Sequence, residues 1–234
     1  NGVVVIETKV APDGVLSVSY NGGVTVQAPD LTDYKLMNAS EKLQMEWDAG
    51  VYSPTNDKSM NRYNQLLRNV LAGVDTYWLS KPLRTAVTHR HSLSAAGGTE
   101  VFRYSLDLNA AFNPGVMKGS EQNTKSLNFS MTYRKENVMV GASINLSESG
   151  GHNSPYGSFS EYTRVNPYYR PTNEFGEYLQ QLDNHTGAGS VPIANPLYNA
   201  NVGIKDLTSN TNITASLNLE YRLLKNLRLT ETLS

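Results

Sequence analysis

Two histidines are the first candidates for chemistry, because His89 and His91 are separated by a single residue. Alternate side chains of a β-strand lie on one face, so the two imidazoles would supply half of a metal site. The sequence places no third ligand beside them, and a solvated strand end explains such a pair more simply. We therefore expect no metal and no cofactor.

No pattern typical of an enzyme accompanies these histidines. The sequence contains no Gly-x-Ser-x-Gly, no P-loop and no His-Glu-x-x-His. No pair of carboxylates is distinguished from the other acidic residues. We expect no catalytic residues and no enzymatic activity.

Aromatic side chains concentrate in one long stretch that is rich in Gly, Pro, Asn and Tyr. Exposed aromatic rings bind the C–H faces of sugars or the side chains of peptides, and Tyr adds a hydroxyl group. The alternative, which we favour for any single residue, is that the rings hold a long loop together. The candidate substrate-binding residues are Tyr156, Phe159, Tyr162, Tyr168, Tyr169 and Tyr178, with Phe175 in the same stretch.

Composition excludes several classes of protein. The 234 residues carry a net charge of −1, so no basic surplus indicates binding to nucleic acid. The absence of cysteine excludes a disulfide framework and a thiolate metal site. No run of about 18 apolar residues predicts a transmembrane helix.

Alternation of apolar and polar residues is the main structural signal. A period of two predicts strands with one apolar and one polar face, and about ten such residues suit a strand that crosses a bilayer. An earlier strand over 16–26 contains Asn21-Gly22-Gly23, which indicates either a bulge or a hairpin turn. The four clearest stretches are 102–112, 127–133, 138–146 and 213–221.

The segment 28–85 has a different pattern, which predicts two short helices. Ser40 is expected to cap a helix over 41–47, and Ser59 to cap a second one. In the second helix apolar residues recur at helical spacing up to Gly73, a plausible C-terminal cap. We expect a helical insertion inside a long loop.

The predicted connections alternate in length between short and long. Tight turns are expected near 97–100, 134–137 and 224–226, and longer connections over about 28–85, 113–124 and 147–212. In an antiparallel meander alternate connections lie at the same end of the sheet. One end would therefore carry only tight turns and the other the long loops, as in outer-membrane barrels.

The aromatic residues on the apolar stripes fit two membrane girdles. Phe102, Tyr133 and Tyr221 each lie near a tight turn, and Phe112 lies at the opposite end of its strand. On alternation alone a soluble β-sandwich fits equally well, but the asymmetry of the loops favours the barrel. The predicted fold class is all-β: an antiparallel meander forming part of a transmembrane β-barrel, with a short helical insertion in a long loop.

Six short motifs follow one another along the chain. They are Asn1-Gly2-Val3-Val4-Val5-Ile6, Val18-Ser19-Tyr20-Asn21-Gly22, Gly97-Gly98-Thr99-Glu100, Gly115-Val116-Met117-Lys118-Gly119-Ser120, Asn195-Pro196-Leu197 and Leu217-x-Leu219-Glu220-Tyr221. In this order they resemble SusC/RagA-type TonB-linked outer-membrane proteins. The first motif resembles the last strand of the plug domain, and the later motifs resemble strands, turns and loops of the barrel.

The resemblance implies a barrel of about 22 strands with a plug in its lumen. Residues 1–10 would be the last plug strand and 11–234 the N-terminal part of the barrel, so we expect a segment of a longer polypeptide. The implied function is TonB-dependent import of oligosaccharides or peptides across the outer membrane of a Gram-negative bacterium. The implied partners are TonB, acting on an upstream region, a SusD-like surface lipoprotein and outer-membrane lipid. The alternative is a soluble β-sandwich that binds glycans or mediates adhesion.

Overall fold

The computed structural model describes residues 14–183 and 192–234. The predicted plug strand over 1–10 lies outside the described residues. In chain order the elements are β1 (Ser17–Gln27), α1 (Ala39–Asp48), α2 (Asp57–Leu71), a 3₁₀ turn (Trp78–Ser80), β2 (Ala86–Gly98), β3 (Phe102–Pro114), β4 (Glu121–Lys135), β5 (Val138–His152), α3 (Phe159–Tyr162), β6 (Gln181–Asp183), β7 (Ile193–Ala194), a second 3₁₀ turn (Asn199–Asn201), β8 (Thr208–Leu224) and β9 (Leu227–Leu233).

Seven strands form one antiparallel meander in the order β1-β2-β3-β4-β5-β8-β9. The short strands β6 and β7 pair only with each other. The predicted all-β meander is confirmed. In the described part of the chain the sheet does not close into a barrel, and β1 and β9 are its edges.

The first strand settles the choice between a bulge and a hairpin. Its residues pair consecutively with β2, from Ser17 opposite Ala96 to Gln27 opposite Ala86, without a break in register. Asn21-Gly22-Gly23 is therefore the interior of a regular strand. The turn signal is overridden because β2 supplies a backbone partner to every residue of this segment.

Register aligns the apolar residues into rows across the sheet. One row contains Tyr20, Leu93, Leu108, Leu127, Leu146 and Ile213. The next row towards the long connections contains Lys125 and Glu148, whose side chains approach to 3.8 Å. On β5 the apolar stripe runs over 138–146, about 27 Å at 3.4 Å per residue.

Among the residues that the structure describes, none forms a second layer over this apolar face. Ile144 and Leu219 remain 45% and 44% exposed although they lie in the middle of the sheet. Within residues 14–183 and 192–234 no second large sheet covers them. The β-sandwich alternative requires such a layer and gains no support.

Connection lengths divide the two ends of the sheet. Tight turns at 99–101, 136–137 and 225–226 share one end, while connections over 28–85, 115–120 and 153–207 share the other. The second connection is shorter than predicted, since β3 continues to Pro114 and β4 already begins at Glu121. The third is also shorter, since β5 continues to His152 and β8 already begins at Thr208. Alternation marks the apolar band, whereas backbone pairing continues beyond it through polar residues.

Both helices begin earlier than predicted, at asparagine caps instead of Ser40 and Ser59. The Asn38 side chain accepts from the backbone N–H of Glu41, and the Glu41 carboxylate accepts from the Asn38 N–H. The Asn56 side chain accepts from the backbone N–H groups of Lys58 and Ser59. Asparagine caps a helix as well as serine, and these two precede the serines in sequence.

The long connections 28–85 and 153–207 pack on each other and form what we call the loop unit. Its core contains residues of both connections: Ala39, Leu43, Tyr52, Leu66, Trp78, Leu79, Tyr162, Tyr168, Tyr169 and Leu197. The buried apolar core of the described residues therefore lies outside the large sheet. Among those residues, no helix combines the length and apolar character that a membrane crossing demands.

The tight end of the sheet depends on a glycine beside the first turn. Gly98 has a φ of 137°, and a Cβ there would collide with the Phe102 carbonyl. We expect Gly98→Ala to destabilise the complete protein by about 1–3 kcal/mol, measured as a lower thermal unfolding temperature. Gly23→Ala is the matched control, because a Cβ at that strand position meets open space. Equal unfolding temperatures for the two variants would contradict this account.

Candidate functional site

A cavity of about 680 Å³ opens on the polar face of the sheet, at the end that carries the long connections. Its walls come from all the first five strands, because each contributes alternate polar side chains to this face. Most of its side chains are neutral hydrogen-bonding groups, and its ionisable side chains are the Arg90 guanidinium, the Glu121 carboxylate and the His152 imidazole. Among the residues that line it are Thr25, Thr88, Arg90, Asn113, Gln122 and Ser149.

A second cavity of about 500 Å³ adjoins the first along the same face. Arg90 and Ser149 line both cavities, so the two are continuous at these residues. Its further polar lining includes Asn21, Ser92 and Asn109. Most of the surface that this second cavity exposes is nevertheless apolar, and Lys125 and Glu148 also line it. Together the cavities form a path that runs from the long connections along the polar face of the sheet.

Below these cavities the polar side chains bond to one another across the strands. The hydroxyls of Ser105 and Ser130 are 2.8 Å apart, as are those of Ser143 and Ser216. Farther along, Ser92 donates to Asn109 at 2.7 Å. In these ladders neutral hydroxyl and amide groups hydrogen-bond to one another, so the ladder positions carry no charge.

The cavity edge is fixed by an arginine that belongs to the first long connection. Arg84 donates from Nε to the Gly115 carbonyl and from a terminal nitrogen to the Ser120 carbonyl, both at 3.1 Å. These bonds hold the connection over 115–120. The turn that borders the cavity is therefore tied to the loop unit.

A buried carboxylate organises the inside of the loop unit. Glu46 accepts hydrogen bonds from the hydroxyls of Tyr52 at 2.8 Å and of Tyr168 at 3.0 Å, and Lys42 lies 3.4 Å away. Tyr52 and Glu46 come from the first long connection and Tyr168 from the third. A buried charge is costly without such partners, so this network determines how the two connections dock.

A second polar contact joins the same two connections. The Arg62 guanidinium donates to the Asp183 carboxylate at 2.9 and 3.1 Å, and the Tyr169 hydroxyl donates to the same oxygen at 3.0 Å. Burial opposes the charge of Arg62, but the Tyr169 hydrogen bond and the Asp183 charge hold its pKa above the ordinary value. These bonds fix α2, through Arg62, to β6, through Asp183.

The substrate-binding residues predicted from the sequence separate into two groups in the structure. Tyr162, Tyr168 and Tyr169 are at most 2% exposed, so their rings fill the core and offer no free face to a ligand. Tyr156 and Phe159 are partly buried against that core. Tyr178 stays 39% exposed and Phe175 88% exposed. Of these rings, those of Tyr178 and Phe175 are therefore the most accessible to a ligand.

Asn195, from the motif Asn195-Pro196-Leu197, is also a core residue. Its side-chain amide donates to the carbonyls of Pro171 and Leu179 at 2.8 and 2.7 Å. Its own carbonyl oxygen accepts from the backbone N–H of Leu197. Through Asn195 the motif is bonded to an earlier segment of the same long connection, at Pro171 and Leu179.

The predicted girdle residues all lie on the apolar face. Phe102 pairs directly with Tyr133, and Tyr221 lies opposite Val138, close to the tight-turn end. Phe112 lies towards the other end, where its ring stacks on His89 at 4.7 Å between centroids.

The two histidines also lie on the apolar face, just beyond the apolar band. His91 Nδ1 is 2.6 Å from the Tyr20 hydroxyl, and His91 Nε2 is 3.1 Å from His89 Nδ1. Within the described ranges no group of three or more His, Cys, Asp or Glu side chains is placed to hold a metal ion.

The sequence analysis missed Arg90 and the cavities around it. Arg90 is a single charged position between two histidines, and nothing in its neighbourhood marks it. The signal becomes visible only in register, because Gly23 and Ala111 lie directly opposite it on the two flanking strands. Residues with little or no side chain on both sides leave the guanidinium free space.

Comparison with known proteins gives a structural likeness and no sequence match. No family model matches the chain, and no curated protein does. The solved RagAB peptide importer resembles it in both the closed-closed and the open-open state, each with a TM-score of 0.68, 16% identity and 95% of this chain covered. A further structure of the RagAB peptide transporter gives 0.66, 16% and 96%. The chain spans 28% of the length of each of these transporter chains.

At this identity the likeness shows the fold. This chain has the fold of part of those larger chains.

Tyr168→Phe should loosen the loop unit. It removes a hydrogen bond to the buried Glu46 carboxylate, and bonds to charged groups contribute about 1.5–3 kcal/mol. We expect faster proteolysis of the long connections in the folded complete protein. Tyr178→Phe is the control, since that ring is partly exposed, and should leave the rate unchanged. Equal rates for both variants would show that the Glu46 network does not hold the unit together.

The loop unit should also lose stability at alkaline pH. Burial raises the pKa of Tyr169 to about 12, and burial likewise raises the pKa values of Tyr52 and Tyr168. The unfolded chain loses these protons near pH 10, so stability is constant below that pH and falls as the pH rises towards 12.

Proteolysis of the long connections, followed together with tyrosinate absorbance, measures this loss. Its onset should lie above pH 10, and Tyr169→Phe should reduce the steepness of the loss. Cleavage that starts well below pH 10 would identify another group as the cause.

Proposed function

We propose that this chain is a segment of a TonB-dependent importer of the outer membrane. The observation that carries the proposal is an uncovered apolar face on a seven-stranded meander whose other face is polar. The likeness to RagAB transporter chains over 95% of its length supports it. In the complete protein the apolar face contacts lipid and the polar face lines the lumen.

The height of the apolar band agrees with the height of the lipid-facing band of outer-membrane barrels. Its length of about 27 Å along β5 becomes roughly 21 Å across the membrane if the strands tilt by about 40°. Outer-membrane barrels carry an apolar band about 25 Å tall between two aromatic girdles. Phe102, Tyr133 and Tyr221 fit the girdle at the tight turns, and Phe112 fits the opposite one.

The difference between the two ends of the sheet gives the orientation. Short turns are periplasmic in bacterial outer-membrane barrels and long loops are extracellular. The loop unit then lies on the outer surface, above the polar cavities. A nutrient too large for a passive porin would reach the cavities from this side.

The RagAB structures are described as a peptide importer and transporter. For the present protein we propose uptake of peptides or oligosaccharides, with a SusD-like surface lipoprotein as partner and TonB as the source of energy. Positioning and transport require no covalent chemistry, so we propose no enzymatic activity.

The contact of the apolar face with lipid can be tested on two neighbouring residues of β4. Phe129→Arg places a charge in the middle of the apolar band, where it should cost about 2–4 kcal/mol. We expect little folded, heat-modifiable barrel in outer-membrane fractions. Asn128→Arg, on the polar face, should assemble normally. If both variants assemble equally, or the complete protein is found outside the membrane, the lipid-facing assignment is wrong.

Import is tested separately by deleting the complete gene. Growth of the host on short peptides or oligosaccharides as the limiting nutrient should fall and recover on complementation. The same strains should grow equally on a monosaccharide that enters through porins. Growth that is independent of the gene on every such nutrient would contradict the importer proposal.

A further inference from the structure

Within the part of the chain that the structure describes, Arg90 is an unpaired cation between two cavities on the polar face of the sheet. It projects from β2 on the polar face and lines both the 680 Å³ and the 500 Å³ cavity. Within residues 14–183 and 192–234 no carboxylate forms an ion pair with it. A charge in such a cleft attracts ligands of the opposite sign.

Two carboxylates also line these cavities, Glu121 the first and Glu148 the second, and each lies beside a basic group other than Arg90. Glu121 lies 3.3 Å from His152, and Glu148 lies 3.8 Å from Lys125. Each belongs to a position whose side chain points to the apolar side of the sheet by strand alternation.

Distance also separates Arg90 from these groups. Arg90 aligns with Thr124 two strands away, and Glu121 is three residues farther along β4. Strand spacing and rise place the two Cα atoms about 14 Å apart. The ion pair of Glu121 is formed with His152 and not with Arg90, so the guanidinium remains available to a ligand.

The surroundings of Arg90 suit a ligand that has one anionic group and otherwise neutral polar groups. Gly23 and Ala111 flank it across the sheet and leave room at the guanidinium. Thr88, Asn113, Gln122 and Ser149 supply donors and acceptors around it. A guanidinium binds a carboxylate with two parallel hydrogen bonds, a geometry that an ammonium group does not match.

We propose that Arg90 is a specificity-determining residue that binds a carboxylate of the transported ligand. The inference rests on the proposed importer function and names the substrate class that this site selects. The carboxylate belongs either to the C-terminus of a peptide or to a uronic acid of an oligosaccharide. The two sources share the same recognition chemistry at Arg90.

Binding to the complete transporter, purified in detergent, tests the proposal with four probes. The first pair is N-acetyl-tetraalanine as the free acid and as the C-terminal amide. The second pair is a tetrasaccharide that carries one galacturonate among neutral sugars, and the methyl ester of the same tetrasaccharide. The members of each pair differ only at the carboxyl group, which is anionic in one and a neutral derivative in the other, and the pair that shows a difference identifies the source.

We expect one of the acids to bind about tenfold or more tightly than its neutral counterpart. Arg90→Gln should bring that ratio close to one by weakening only the acid, and Arg90→Lys should retain part of it. Arg134→Gln is the matched control, because it removes the same charge from the polar face at the tight-turn end. It should keep the wild-type ratio.

Three outcomes would overturn the assignment of Arg90. They are equal binding of acid and neutral probes, an unchanged ratio in Arg90→Gln, and no binding of any probe to the wild type. Dependence of growth on the gene decides the importer proposal independently. If growth still requires the transporter while any of these outcomes is found, the proposed carboxylate site is wrong and the importer proposal is retained.

Discussion

Backbone pairing between neighbouring strands is the constraint on which the rest of this structure depends. Each strand of the meander bonds to the next in antiparallel register without a slip from β1 to β8. Because side chains alternate, one residue of slip would reverse every apolar and polar position of a strand. The common register therefore produces both faces at once: the apolar rows and, behind them, the hydroxyl ladders and cavities.

The loop unit follows a different principle, since it has a core of its own. Two connections of more than fifty residues each are joined by buried tyrosines and by the Glu46 and Arg62 contacts. Apolar burial supplies the attraction, whereas the hydrogen bonds select a single docking arrangement. The sheet holds the ends of both connections in place and so reduces the entropy lost when they pack.

Much of the sheet was predictable from the sequence, because alternation and turn residues are local signals. The meander, the tight turns and the helical insertion followed from these signals. The end of β5 beyond Leu146 did not, because polar residues such as Glu148 continue the backbone pairing without alternation of apolar and polar side chains. The helix caps at Asn38 and Asn56 were missed in favour of nearby serines. The space around Arg90 depends on Gly23 and Ala111 of other strands, which only the register brings together.

The shared core of the two long connections limits how this surface can be modified. In sequence the connections are separated by β2, β3, β4 and β5, so neither has a complete set of packing partners until those strands have assembled. Replacement of one connection by that of a related protein would leave Tyr168 or Glu46 without its counterpart. Chimaeras of this protein therefore need to exchange both connections as a pair.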